Sequence, residues 1–209
     1  MKLSNFTKHG LILGALSAFA VSACADTVFI NSSAAETTNN SGFATVNISQ
    51  NPAWYGPLSG SSWVSYEQSG NPNSHGFVSP PNGTVVTFTD NFFIAGTPTN
   101  GLVNVFADDT ASVWLNGTLL KAWGTQTGSN CSSNGIGCLS TTEGDVTLTG
   151  ALVSGANVIT FEVKQLAGSS FGLDYSGAIN YTATPEPGTA ALLGLPLVAL
   201  GLLRRKRGI

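Results

Sequence analysis

The side chains that could carry acid–base or nucleophilic chemistry are few in this sequence. His75 is the only histidine between residues 26 and 184, and its neighbours Ser74 and Gly76 place it in a loop, which leaves no basis for a Ser-His-Asp triad. Glycoside hydrolysis needs two facing carboxyl groups, and the acids available for it are Glu67, Glu143, Asp145, Glu162 and Asp174. Glu143 and Asp145 border a predicted turn, and Glu162 lies on a regular predicted strand. We therefore expect a protein that is not an enzyme, with a secreted glycoside hydrolase as the weaker alternative.

A second feature with chemical meaning is a pair of cysteines. Cys131 and Cys138 enclose six residues rich in Ser, Asn and Gly, and in an oxidising compartment this spacing predicts a disulfide. Closing such a loop stabilises a fold by about 2.5 kcal/mol in the chain-entropy model. A zinc site is a poor alternative, because zinc takes four ligands and His75 is the only histidine between residues 26 and 184 that could join the two cysteines.

The first 25 residues are typical of an export signal. Lys2 and Lys8 precede an apolar run over residues 11–21, and Ala23-Cys24-Ala25 supplies a small-x-small cleavage site. The mature chain is therefore predicted to begin near Asp26. Two alternatives stay open: lipidation of Cys24, since residues 21–24 also match a lipobox, and an uncleaved N-terminal anchor.

Residues 184–209 have the features of a second targeting signal. Pro185-Glu186-Pro187 precedes an apolar run to residue 203, and a basic cluster follows: Arg204, Arg205, Lys206 and Arg207. Residues 188–203 would span roughly 24 Å as a helix, short of the hydrocarbon core of a bilayer. Cationic residues stay on the cytoplasmic side, so the preceding domain would face outward while the apolar run is transiently inserted.

This tail resembles the PEP-CTERM sorting signal of Gram-negative bacteria. The resemblance implies recognition by an exosortase, removal of the tail near Pro185–Pro187, and association with exopolysaccharide and biofilm. It thus implies an inner-membrane intermediate and then a place at the cell surface or in the extracellular matrix. An ordinary single-pass anchor is the alternative.

The segment between the two predicted targeting signals is acidic and rich in predicted β-strands. Residues 26–184 hold two lysines and ten acids, a net charge of −8, so a nucleic-acid partner is excluded for want of a basic patch. No helical stripe is present, and ten strands are predicted: 27–30, 43–48, 62–66, 84–89, 102–106, 111–115, 118–123, 145–149, 158–164 and 178–181. Asn116-Gly117 between two apolar runs predicts a hairpin. The ten short predicted strands indicate an all-β sandwich or jelly roll over residues 26–183.

Two stretches of this domain carry a further resemblance. The first is residues 105–117, where Ala107-Asp108-Asp109 precedes a strand and an Asn-Gly hairpin; the second is residues 155–163. Both stretches are similar to galactose-binding-like and PA14-type jelly rolls. In PA14-type adhesins, paired aspartates hold calcium, which in turn holds sugar hydroxyls. The resemblance therefore implies calcium at Asp108 and Asp109; the alternative is that both acids simply suit a turn.

Aromatic residues offer another means of contacting a sugar. Trp54 and Trp63 lie in or beside loop-like sequence and are candidates for stacking on a glycan, with Trp114 and Trp123 on the hairpin; in a β-sandwich such residues also serve as core. We expect a non-catalytic carbohydrate-binding module, with exopolysaccharide as its ligand. A structural or adhesive matrix protein without a defined ligand is the alternative.

Overall fold

The computed structural model describes residues 24–127 and 131–183. The predicted export signal, except for Cys24 and Ala25, and the predicted sorting signal at 184–209 lie outside the described residues. Within the described ranges, no helix has the length and apolar character needed to cross a membrane.

Eleven antiparallel strands make up nearly all the regular structure of these residues. They are β1 (Ala25–Asn31), β2 (Thr38–Asn39), β3 (Val46–Asn47), β4 (Val64–Ser65), β5 (Val85–Ile94), β6 (Gly96–Asp108), β7 (Thr110–Leu115), β8 (Thr118–Lys121), β9 (Gly144–Thr147), β10 (Gly155–Lys164) and β11 (Gly172–Ala183), with one 3₁₀ turn at Ser140–Thr142. All ten predicted strands correspond to one of these.

The strands form two sheets. One has five strands in the order β2-β5-β10-β7-β8; the other has six, in the order β3-β4-β11-β6-β9 with β1 also paired to β11. Alternate residues of β10 are buried, as the period-two pattern predicted. The predicted all-β sandwich is confirmed.

The predicted hairpin is also confirmed. β7 and β8 pair with Leu115 opposite Thr118, and the two residues between them, Asn116 and Gly117, have positive φ angles of 51° and 79°. Such angles are characteristic of the two-residue turns that match the twist of paired strands.

Two apolar clusters hold the described residues together. The main core lies between the sheets and includes Phe88, Phe161 and Tyr175. A second group, called here the loop cluster, consists of Trp54, Trp63, Phe106 and the cysteines 131 and 138. Phe106 alternates on β6 with core residues 103 and 105 and so faces away from the main core. The loop cluster therefore covers the outer face of the six-stranded sheet.

Candidate functional site

The chain passes from one sheet to the other at Asp108 and Asp109. Asp108 ends β6 in the six-stranded sheet, and Thr110 begins β7 in the five-stranded sheet. The peptide bond between the two aspartates is cis. Both carboxyl groups are buried, with exposed fractions of 6% for Asp108 and 2% for Asp109.

Asp108 is held by the loop cluster. Its Oδ2 accepts a hydrogen bond of 2.8 Å from the indole Nε1 of Trp54. Gly172 lies directly opposite Asp108 in the β6–β11 pair, and a Cβ atom there would lie 3.0 Å from the Trp54 ring. The glycine thus leaves the space in which the tryptophan lies across the strand and contacts the carboxylate.

Asp109 is held by a different part of the chain. Its Oδ2 accepts hydrogen bonds from the backbone N–H groups of Leu166, at 2.5 Å, and Ala167, at 2.8 Å. Its carbonyl oxygen accepts from Ser132 N at 2.8 Å, which links it to the disulfide loop. The segment after β10 and the disulfide loop therefore both fix Asp109.

The electrostatics of the pair favour a positive charge beside it. Burial raises the pKa of Asp108 well above its usual value, and the adjoining Asp109 carboxyl raises it further. Among the described residues, the hydrogen bond from Trp54 is the one influence that lowers that pKa, and no lysine or arginine contributes to it. Ionising Asp108 beside Asp109 is therefore costly, and a bound cation would relieve that cost.

The two carboxyl groups border a cavity of about 150 Å³. Neither Oδ1 atom accepts a hydrogen bond from an N–H or hydroxyl group of the described residues. The rest of the wall comes from three segments: Asn51 to Trp54, the two cysteines, and Ala167 to Ser170. Carboxylate, hydroxyl and carbonyl oxygens are the ligands that calcium takes, so the residues present fit that ion.

The sulfur atoms in this wall are not metal ligands. Cys131 and Cys138 form a disulfide, as the sequence predicted. Their Sγ atoms and a carboxylate oxygen of Asp108 all lie within 4.8 Å of one another, but metals bind the thiolate and not the disulfide. The disulfide therefore acts as a wall of the cavity.

The two tryptophans predicted to stack on a sugar are buried. Trp54 is 6% exposed and Trp63 2% exposed, and their ring centroids lie 4.2 Å apart. Neither ring offers an open face, which argues against the stacking role for them. Their physical role here is to build the loop cluster, and Trp54 also positions the Asp108 carboxylate.

The acids considered for glycoside hydrolysis do not line this cavity. Asn104 Nδ2 donates to both Glu143 and Asp145, at 2.8 and 2.6 Å. Asp174 is buried and accepts hydrogen bonds from Ser32, Ser61 and Leu58 N, so it fixes loops. His75 lies exposed in a turn, as expected.

Several residues of the site were not foreseen from the sequence. Asn51 donates from Nδ2 to Ser170 Oγ at 2.8 Å, which joins two walls of the cavity. Asn51 and Ser170 are separated by 119 positions. No short-range pattern relates them, so only the tertiary packing brings them together.

Comparisons with known proteins return structural neighbours only. No protein-family model and no curated protein matches the chain. Among solved structures, a family 35 carbohydrate binding module from Clostridium thermocellum aligns at 14% identity and TM-score 0.41, over 72% of this chain and 97% of that one. A CBM35 from Paenibacillus barcinonensis aligns at 18% identity and TM-score 0.39, over 75% and 99%.

A third neighbour is an enzyme. The Streptomyces avermitilis α-L-rhamnosidase, complexed with L-rhamnose, aligns at 16% identity and TM-score 0.43 over 66% of this chain and 14% of the rhamnosidase. At these identities and TM-scores the three likenesses carry no conclusion about ligand or activity.

Proposed function

We propose that the β-sandwich is a non-catalytic carbohydrate-binding module that binds its ligand through calcium at Asp108 and Asp109. The supporting observation is the pair of buried carboxyl groups beside one cavity, each with an oxygen that accepts no N–H or hydroxyl hydrogen bond from the described residues. Burial and the adjoining Asp109 carboxyl both favour the neutral form of Asp108, so a cation bound beside the two carboxyl groups would take the place of the Asp108 proton.

The chain's own groups would share the work at this site. Asp108 and Asp109 would hold the cation, with oxygen atoms of Ser169 and Ser170 in the same wall. When bound, calcium supplies open coordination positions that sugar hydroxyls can occupy. Trp54 and the backbone N–H groups of Leu166 and Ala167 keep the two carboxylates in place.

Calcium binding is tested with the full-length chain after treatment with chelator. We expect calcium to raise the melting temperature, since a ligand at 100 times its Kd stabilises the native state by about 2.7 kcal/mol. Asp108→Asn keeps an acceptor for Trp54 but removes one charge, and should lose most of that increase. Asp145→Asn, at an exposed acid, is the matched control and should keep it. An equal calcium effect in D108N and the unsubstituted chain would remove the proposed site.

Sugar binding needs a separate measurement. Retardation of the chain in gels that contain dextran, laminarin, arabinoxylan or the exopolysaccharide of the source cells is compared with calcium and with chelator. A calcium-dependent retardation that D108N loses supports the proposal. Calcium binding without retardation in any of these gels would favour the alternative of a structural or adhesive matrix protein.

We further propose that the chain is exported and sorted by an exosortase to the cell surface or extracellular matrix, where it is associated with exopolysaccharide. The support is the order of features in the sequence: Pro185-Glu186-Pro187, an apolar run, and the basic residues 204–207. Mass spectrometry of surface-extracted protein should find a C-terminus near residues 185–187. Recovery of the intact basic cluster would make the tail an anchor. The same spectra distinguish an N-terminus at Asp26 from a lipidated Cys24.

A further inference from the structure

The outer face of the five-stranded sheet carries an ordered group of polar and aromatic side chains. On β7 and β10, Trp114 pairs with Thr160 and Ser112 with Glu162, and Lys164 follows on the same side of β10. Core residues Ile159, Phe161 and Val163 face the opposite way. Trp114, Glu162 and Lys164 are half-buried, so their side chains are accessible from solvent.

Trp123 lies across this face. It follows β8, and its indole Nε1 donates to the carbonyl oxygen of Glu162 on β10 at 2.6 Å. The next residue, Gly124, donates its N–H to Thr110 Oγ1 at 2.8 Å, so the segment passes over the start of β7. The ring is 40% exposed and has Lys164 Nζ 5.0 Å from its centroid. Trp123 is therefore an exposed ring whose orientation is fixed.

Glu162 also fixes the second indole. Its Oε2 accepts from Trp114 Nε1 at 3.2 Å and from Ser112 Oγ at 2.9 Å, while Trp114 Nε1 also reaches Ser112 Oγ at 3.0 Å. Its Oε1 accepts no hydrogen bond from the described residues. Glu162 thus contacts both indoles, Trp114 through its carboxylate and Trp123 through its backbone carbonyl oxygen. We call Trp114, Trp123, Glu162 and Lys164 the aromatic patch.

The surroundings of the aromatic patch point to a hydroxyl-rich ligand. The neighbouring outward residues include threonines 87, 89 and 160, all partly exposed, and two exposed apolar residues, Leu119 opposite Trp114 and Val85 opposite Lys164. Fixed aromatic faces contact the apolar faces of sugar rings, while a carboxylate and an ammonium group bond hydroxyls as acceptor and donor. The two charges of the patch are opposite, so it presents no net charge to a ligand. Oriented rings beside a hydrogen-bond acceptor and a donor suit a neutral sugar chain.

The patch is close along the chain to the residues that hold Asp109. Lys164 pairs with Thr110, the residue after Asp109, and the segment that leaves β10 donates to the Asp109 carboxylate only two and three residues beyond Lys164. The end of β10 therefore links the patch to the carboxylates of the cavity.

We propose that the aromatic patch is a second contact surface for a neutral polysaccharide, one that does not require calcium. This inference takes its ligand class from the proposed function and adds a site on a sheet face, apart from the two carboxylates. Two surfaces on one domain would also allow the protein to bridge polysaccharide chains.

The test uses the full-length chain in gels containing dextran, laminarin, arabinoxylan or galactomannan, each run with calcium and with chelator. The unsubstituted chain should be retarded in at least one gel, and part of that retardation should survive the chelator. Trp123→Ala should reduce that surviving part by roughly tenfold in apparent affinity, since tryptophan truncation at the centre of a contact is among the largest single effects. Trp123→Phe, which keeps a ring but loses the N–H, should have an apparent affinity between those of Trp123→Ala and the unsubstituted chain.

Phe93→Ala is the matched control. Phe93 is 65% exposed and lies on the same sheet face opposite Ala156, six residues along β10 from Glu162, roughly 20 Å away. F93A should bind as the unsubstituted chain does, and melting curves confirm that each variant is folded.

The outcomes separate this inference from the proposed function. Loss of the calcium-dependent part in D108N, with the chelator-resistant part intact, supports both. Retardation that the chelator abolishes completely, or that W123A leaves unchanged, overturns the aromatic patch and leaves the calcium site standing. Absence of retardation in all four gels overturns the patch, while the calcium melting experiment still decides the cation site.

Discussion

Asp90 is a carboxyl group on the core-facing side of β5, where its alternating neighbours Val86, Phe88 and Ile94 are apolar. Its Oδ2 accepts from the hydroxyl of Tyr175 at 3.1 Å, and that hydroxyl also pairs with Thr37 Oγ1 at 2.9 Å. Burial raises the pKa of Asp90 to about 6, with the Glu36 charge adding to the shift and the Tyr175 bond opposing it. Asp90 thus makes the stability of the core depend on pH, and the buried Asp108 and Asp174, whose pKa values burial also raises, act in the same direction.

The sign of that dependence can be measured. The folded-state pKa of Asp90, about 6, lies above the ordinary value of 3.8. Between these two pH values the native state therefore holds more protons than the unfolded state. The free energy of unfolding should therefore fall as pH rises through this window. Asp90→Asn, which stays neutral, should make this part of the curve less steep in urea unfolding followed from roughly pH 4 to pH 7. A slope in D90N identical to that of the unsubstituted chain would assign the effect to other groups; Asp145→Asn is the control.

At the scale of elements, the disulfide loop is attached to the end of β6. Ala107 N donates to Gly137 O at 3.0 Å, and Ser132 N donates to Asp109 O at 2.8 Å. The loop therefore holds the backbone on both sides of Asp108, besides closing one wall of the cavity. The disulfide stabilises the element that carries the candidate site.

Removing the disulfide should then affect stability and calcium binding together. Cys131→Ser with Cys138→Ser should lower the free energy of unfolding by about 2.5 kcal/mol in the chain-entropy model and weaken calcium binding, measured by urea unfolding and calorimetry. Cys24→Ser is the control, because Cys24 is exposed and forms no disulfide. A double variant that is less stable but binds calcium with unchanged affinity would show that the loop does not position the carboxylates.

At the scale of the whole described domain, the two sheets are joined by aromatic packing. Phe161 of β10 stacks on Tyr175 of β11 with ring centroids 4.4 Å apart, and both are fully buried. The hydroxyl of Tyr175 in turn reaches Asp90 on β5. This contact links the central strands of the two sheets through the main core.

Phe161→Ala should destabilise the sandwich as a unit. Loss of a buried phenylalanine costs about 3 to 5 kcal/mol, because the cavity is only partly filled by relaxation. Phe93→Ala on the exposed face should change stability by less than about 0.5 kcal/mol. Urea unfolding followed by fluorescence and by circular dichroism should give coincident transitions for both variants. Separate transitions for the two probes would show that the sheets unfold independently.

The sequence by itself determined the features that depend on neighbours along the chain. The Asn116-Gly117 hairpin, the alternation of β10 and the disulfide between Cys131 and Cys138 each follow from turn chemistry, period two or short loop closure. All were confirmed. Strand lengths were less well predicted: β6 begins at Gly96, six residues earlier than expected, because its polar first half is held by pairing with β11.

Only the tertiary structure decided what surrounds each functional side chain. Asp108 and Asp109 were identified from the sequence, but the walls of their cavity come from segments near residues 51, 131 and 168, which no local pattern relates. Trp54 was expected at a sugar face and instead lies in the loop cluster, because Gly172 on β11 leaves space for its ring. Burial depends on which distant segments pack over a residue, and a linear pattern records only the backbone preferences of its own neighbourhood.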